Sequence, residues 1–229
     1  MYQILTDQTS RGEIHLITYS NQKTNDFNDI VYGRRSIKIY DSSVKISREE
    51  MTEMIDQATK APSSVNLQPW RFVVIDSEQG KETLLPLARF NHNQVKTSSA
   101  VIAVFTDMNS FDYAEEIYGK AVELGYMPQE VKEMQLNAFR KIFSDYSPEV
   151  MKNNVILDAG LVSMQLMLVA RAHGYDTNPI GGFEKDQIAE AFGLDQDRYV
   201  PVMLISIGKA ASEGHASYRL PAERITFWK

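Results

Sequence analysis

The segment from Ser147 to Gly174 constrains the fold more than any other stretch. Ser147-Pro148-Glu149 is a helix start, with proline at the first helical position, where its missing N–H costs nothing. Gly174 follows His173 as a left-handed stop. Between these signals, Val155 to Ala170 is apolar nearly all round, broken by Asp158, Ser163 and Gln165. A helix that is apolar on every face is a central, buried one, and the rest of the chain must pack around it. The apolar run is shorter than the ~20 residues a membrane span needs.

The elements around that helix are few strands and many helices. Arg71–Asp76, Ala100–Phe105 and Tyr199–Ile207 read as strands, the second almost wholly apolar, as in a buried sheet member. Thr24 is a cap for a short helix through Tyr32. Ser47 and Glu50 form a capping box, and Met51, Met54, Ile55 and Ala58 give the next helix one apolar face up to Pro62. Further helices are expected over Glu78–Arg89, over Phe111–Tyr146 with a second start at Pro128, and over Glu184–Phe192. Strict strand–helix–strand alternation is missing, so the class is α+β. No GxGxxG follows a strand and no Walker loop is present, so a nicotinamide would not be held by a Rossmann domain. The better-patterned chain begins at Thr24, which divides the 229 residues into an extension of unknown role, 1–23, and one domain, 24–229.

Composition removes several functions. Cysteine is absent, which excludes disulfides, thiolate metal sites and a cysteine nucleophile. The four histidines are scattered and form no metal-ligand pair, so no metal is expected. A net charge of −6 leaves no basic footprint for nucleic acid. The N-terminus lacks the basic-then-apolar order of a signal peptide, and a cytoplasmic protein without membrane partners is expected.

Candidate site residues fall in short polar stretches. Pro62-Ser63-Ser64-Val65-Asn66-Leu67-Gln68-Pro69 presents uncharged hydroxyls and amides from a backbone stiffened at both margins. Such groups donate and accept, which suits the edge of a neutral heteroaromatic ring. Gly33-Arg34-Arg35-Ser36-Ile37-Lys38 puts three cations and a hydroxyl in five residues of an acidic protein. Asn91 to Ser99 reads as a polar connection. Asn178 to Phe183 reads as a tight loop whose Gly181 and Gly182 permit close backbone approach. The aromatics between Phe111 and Tyr146 serve equally well as packing or as a lid. The tail carries Arg219 and ends on Ile225, Phe227 and Trp228, apolar groups that need a surface to cover them.

Together these pieces resemble the FMN-dependent nitroreductase family. The resemblance rests on Arg34-Arg35-Ser36-Ile37-Lys38, on Pro62 to Trp70, on Pro179-Ile180-Gly181-Gly182-Phe183 and on Arg219 in a Tyr-Arg-Leu-Pro tail. Each alone is common; the four in this order are specific. The resemblance implies an α+β fold with a central, mainly antiparallel sheet flanked by helices, in an intertwined homodimer with FMN at the interface. It implies that Arg34, Arg35, Ser36 and Arg219 grip the phosphate and ribityl chain. Lys38 would stand near the pyrimidine end of the flavin as its tuning cation, and no side chain is assigned as acid or base. Pro62, Ser63, Ser64 and Asn66 would reach the flavin from the second subunit. Asn91 and Gln94 would sit at its pyrimidine edge, and Pro179, Ile180, Gly181 and Gly182 would pass along the ring. Where some members carry a glutamate, this chain has Gly181. The implied activity is hydride transfer from NADH or NADPH through FMN to a nitroaromatic, quinone or related small-molecule acceptor, in ping-pong order. The alternatives are a dimeric flavin-binding or flavin-sequestering protein without turnover, or a dehalogenase or dehydrogenase on the same fold.

Overall fold

In the computed structural model, residues 4–8, 14–18 and 22–229 are described; the remainder of the N-terminal stretch lies outside the described residues. Two strands, β1 (Ile4–Gln8) and β2 (Ile14–Thr18), pair antiparallel as a separate hairpin. Helix α1 (Phe27–Gly33) follows, capped by Asp26, whose carboxylate accepts from the Asp29 N–H at 2.9 Å. Thr24, the cap expected from sequence, instead lies two residues before the observed cap and accepts from Asp26 N–H. Helix α2 (Arg48–Ala58) opens on Ser47 as its pattern predicts and buries Met51, Met54 and Ala58.

The central sheet holds β3 (Trp70–Ile75), β4 (Ala100–Asp107), β5 (Asp176–Ile180) and β6 (Tyr199–Gly208). Its order is β3-β4-β6-β5, every neighbour antiparallel. Strand β4 is buried along all eight residues, as its apolar run requires. Helix α3 (Glu78–Leu84), α4 (His92–Thr97) and α8 (Lys185–Ala191) cover one face, with Leu84, Val95 and Ile188 packed against Val101, Ala103 and Phe105. The other face carries α2 and the 25-residue α7 (Pro148–Ala172), where Val162, Leu166 and Ala170 meet Ile102, Val104 and Ile205. Helices α5 (Ala114–Glu123) and α6 (Gln129–Ser144) form an outlying pair, and the short α9 (Ala222–Ile225) ends the chain.

Helix α7 is long and apolar enough to cross a membrane, but half of its most apolar window is buried inside the protein, as a core helix should be. The helix expected over Glu78–Arg89 stops at Leu84, and a 3-10 turn over Leu85–Leu87 takes up Pro86. Two further expectations fail. Asn91–Ser99 is not a bare connection: α4 lies in it, one amphipathic turn-and-a-half that buries Gln94 and Val95, too short to show a helical period. Asn178–Phe183 is not simply a loop, because Asn178, Pro179 and Ile180 belong to β5. A proline is tolerated there because β5 is an edge strand. The carbonyl of Thr177 faces outward to Ile37 N–H at 3.1 Å, so Pro179, two residues on, also turns its backbone outward and breaks no ladder bond.

Candidate functional site

The edge of β5 organises one half of the site. Ser36 bridges Thr177 in parallel, and Tyr40 bridges Ala210, so the Arg34–Lys38 stretch is laid between β5 and the chain that leaves β6. Ile37 is buried, whereas Ser36 and Lys38 are exposed. Residues past Gly208 double back over this stretch so closely that a Cβ on Gly214 would lie 2.4 Å from the Arg35 Cβ. The tail thereby brings Arg219 to Arg34. Burial lowers the Arg34 pKa from its ordinary value, the Arg219 and Arg35 guanidinium groups lower it further, and Asp176 opposes them. Arg35 donates to the Tyr32 carbonyl at 2.5 Å and the Arg34 carbonyl at 3.1 Å, and Arg219 donates to Ser217 Oγ at 2.7 Å. Arg34, repelled by both Arg219 and Arg35, is half-buried near the exposed Ser36, and such a set of guanidinium groups and a hydroxyl can take a multiply charged oxyanion. Beneath them the Arg171–Asp176 ion pair is buried at 3.2 Å, and Arg171 packs against Gly33, where a Cβ would come within 3.1 Å of Nη2.

Further along the same edge, Gly182 lies five residues past Thr177, which is ~16 Å at ~3.3 Å per extended residue. Asn91 Nδ2 donates to the Gly182 carbonyl at 3.2 Å, and Gln94 Nε2 donates to Asn91 Oδ1 at 3.1 Å. The structure thus brings the neighbouring Asn91 and Gln94 to Gly182, which lies 91 residues beyond Asn91 in sequence. A Cβ on Gly181 or Gly182 would meet nothing, so the space over this backbone is open. Sequence reasoning missed the residues that fasten the two loops together. Arg89 adopts a left-handed φ of 49° and grips Glu184 at 2.7 Å, which lowers the Glu184 pKa. Phe90 stands between the fastened Arg89 and Asn91 with its ring 99% exposed.

The loop from Pro62 to Pro69 lies elsewhere. It precedes β3, on the opposite edge of the sheet from β5, with β4 and β6 between them, three strand spacings or ~14 Å. The loop is strained: Val65, Asn66 and Gln68 have φ of 42°, 56° and 49°. Left-handed non-glycine residues cost on the order of 1–3 kcal/mol each, and a β-branched one is the rarest. Its shape is held from several sides. Asp158 accepts from Ser64 N–H, Tyr118 Oη donates to the Val65 carbonyl at 2.8 Å, and Ser63 Oγ accepts from Gln68 N–H at 3.1 Å. Behind it, Asp107 is fully buried and accepts from Arg71 at 3.1 Å and Arg198 at 2.8 Å, while Arg71 also donates to the Gln68 carbonyl at 3.0 Å. The only sequence signal for Asp158 was its place in an apolar run, and for Tyr118 its place among the aromatics of Phe111–Tyr146; Arg71 and Arg198 gave none. The aromatics of α5 and α6 pack on one another, with Tyr118 to Phe139 at 6.1 Å, and with Leu67 and Val65 of the loop.

A model of the nitroreductase family matches residues 31–209. The chain belongs to the nitroreductase family. Bacillus subtilis YdgI, named as an NAD(P)H nitroreductase, is 68% identical over 207 residues, covering 90% of this chain and 99% of YdgI. The CLA biosynthesis enone reductase of Lactiplantibacillus plantarum is 38% identical over 207 residues, 90% of this chain and 95% of that protein. Among solved structures, a nitroreductase of Exiguobacterium sibiricum crystallised with FMN superposes with a TM-score of 0.89 at 63% identity, covering 91% of this chain and 99% of that one. The nitroreductase fold expected from the motifs is therefore the observed one.

Proposed function

We propose that the chain is an NAD(P)H-dependent flavin oxidoreductase of the nitroreductase type, with FMN laid along the β5 edge and completed by a second copy of the chain. The single observation that carries the reading is the convergence of Arg34, Arg35, Ser36 and Arg219 at one end of that edge and of Asn91, Gln94 and Gly182 at the other. The residues present fit FMN: the guanidinium cluster suits a phosphate near −2, and the open backbone of Gly181 and Gly182 suits a flat ring. The crystal complex of the Exiguobacterium relative with FMN supports the same assignment. When bound, FMN supplies the redox chemistry, accepting hydride from NADH or NADPH and passing it to an acceptor in ping-pong order. The protein's residues bind, orient and tune. Phe90, exposed between Arg89 and Asn91, would be available to meet a flat acceptor.

The loop Pro62–Asn66 would reach the ring from the partner. Within one chain it stands on the far edge of the sheet, so a second copy is the economical source. Exposed apolar groups support a partner surface. Val150, Leu157, Leu161 and Met164 make a stripe on α7, and a Cβ on Gly160 among them would meet nothing, which permits a close helix crossing. Phe227 and Trp228 at the tail are 84% and 91% exposed. The outer edge of β3 has no strand beside it among the described residues, and a groove of about 560 Å³ runs there past Met51, Ile55, Phe72 and Val74. The proposed dimer would lay the partner's tail along that edge.

The acceptor class is a nitroaromatic or quinone; the 38% identity to an enone reductase gives a conjugated enone as the second reading. The yellow holoprotein should bleach anaerobically on adding NADH or NADPH and regain colour with a turnover-competent acceptor. A panel of one nitroaromatic, one quinone and one enone ranks the acceptors. A holoprotein that neither nucleotide bleaches would be a flavin-sequestering protein instead.

Lys38 is exposed beside the phosphate motif and is proposed to tune the ring. Two-electron reduction places negative charge at the pyrimidine end, and a fixed ammonium there favours the reduced form. At ~4 Å and an effective dielectric of ~20 the Coulomb attraction is about 4 kcal/mol, and open solvent reduces it severalfold. With ~30 mV per ~1.4 kcal/mol for a two-electron couple, Lys38→Met should lower the midpoint potential by a few tens of millivolts. Spectroelectrochemical titration checks this, and a wild-type midpoint would remove Lys38 from the ring.

A further inference from the structure

Asp158 has no place among the phosphate or ring contacts, yet it is a carboxylate on the core helix, 5% exposed. A buried carboxylate without a cation is costly and calls for an explanation. Among the described residues no lysine, arginine or histidine forms an ion pair with it. Both its oxygens instead face one group, the Ser64 N–H, at 3.0 and 3.1 Å. Burial raises its pKa and the Ser64 N–H opposes the rise, so the hydrogen bond is the main favourable interaction of the charge.

Ser64 opens the 3-10 turn Ser64–Asn66. The residue before it, Ser63, supplies no side-chain cap; its hydroxyl is bonded to Gln68 N–H instead. Asp158 therefore does the work of a cap from another element, satisfying the N–H that a helical start leaves open. The next carbonyl, that of Val65, is held by Tyr118. The left-handed residues Val65 and Asn66 lie between and beside these two pins. A backbone in this region persists only when its surroundings over-determine it.

We infer that Asp158 is a positioning residue of the flavin site, pinning the Ser63–Ser64 peptide to the core helix so that Ser63, Ser64 and Asn66 meet the ring in one arrangement. The inference rests on the proposal that this loop touches the flavin. The pin comes from α7, which also bears the exposed Leu157, Leu161 and Met164 stripe, so the proposed partner surface and the clamp on the loop lie on one helix.

The test compares flavin-saturated wild type, Asp158→Asn, Asp158→Leu and Asn66→Ala for midpoint potential and for FMN and riboflavin affinity. Asp158→Asn keeps an oxygen that accepts from Ser64 N–H and should remain close to wild type. Asp158→Leu keeps the volume but loses the acceptor. It should weaken FMN and riboflavin alike, by about fivefold, the loss expected for one hydrogen-bonded ring contact, and shift the midpoint in the same direction as Asn66→Ala. Loss of general stability alone would not move the midpoint of the folded, saturated protein. If Asn66→Ala shifts the midpoint and Asp158→Leu does not, the positioning role is wrong while the site stands. If Asn66→Ala shifts nothing, the loop does not meet the ring, and the inference falls with that reading. Should Asp158→Leu fail to fold, Asp158→Ala replaces it, and a wild-type midpoint and riboflavin affinity for that variant overturn the assignment.

Discussion

Arg34→Ala and Arg219→Ala are each expected to purify as largely colourless protein. Charge-assisted hydrogen bonds contribute about 1.5–3 kcal/mol, so losing one guanidinium should weaken FMN roughly ten- to a hundredfold. The local electrostatics sharpen the expectation. Arg34 is half-buried, and its pKa is lowered by burial and by the neighbouring Arg219 and Arg35. Without a phosphate, these cations oppose one another, so removing one should leave the apoprotein's stability unchanged or slightly raised. With a phosphate, the same removal takes away attraction. The signature is therefore a lower thermal shift on adding FMN, with little change in the apoprotein's melting temperature. Riboflavin, which lacks the phosphate, should bind both variants about as it binds wild type. Fluorescence titration measures all three affinities, and unchanged FMN dissociation constants in both variants would place the phosphate elsewhere.

The sequence displayed the parts of this molecule that depend on local rules and hid those that depend on long-range pairing. Helix α7 announced itself through Ser147-Pro148 and Gly174 and through its unbroken apolar run, and it is the core helix. Strands β3, β4 and β6 are rich in valine and isoleucine and were legible. Strand β5 was not, because Asp176-Thr177-Asn178-Pro179 has no strand propensity; it is a strand because β6 and Ser36 pair with it. The Arg34–Lys38 stretch and Asn91, Gln94 and Gly182 were singled out through family resemblance, and the structure brings the last three together. Their distances could not be read from spacing, since Asn91 meets Gly182 across 91 residues. The clamps were invisible for the same reason. Nothing near Ser64 in sequence points to Asp158, and nothing near Val65 points to Tyr118 or to a left-handed φ.

Deletion of Leu220–Lys229 should cost the dimer and, with it, the flavin. The segment carries Ile225, Phe227 and Trp228, which are 62%, 84% and 91% exposed on one chain. Large exposed apolar groups at a chain end are covered by something in a stable protein. Burying each stabilises by about 1.5–3 kcal/mol, so the three together contribute on the order of 5 kcal/mol per tail before the cost of ordering it. Two tails act in each dimer. Even after that cost, the dimer should weaken by more than a thousandfold, at about 1.4 kcal/mol per tenfold. The deletion keeps Arg34, Arg35 and Arg219, and it keeps Gly214 packed over Arg35, so the phosphate end of the site is intact in the shortened chain. On the proposed arrangement, what it removes is the partner, and with the partner the Pro62–Asn66 loop, which within one chain lies beside β3 on the opposite edge of the sheet from β5. Loss of FMN from the truncated protein would then report loss of the second subunit. Raising the protein concentration should restore dimer and colour together. Sedimentation at several concentrations, read at protein and flavin wavelengths, follows both. A truncated monomer that sediments with a full complement of tightly held FMN would show that one chain owns a complete site.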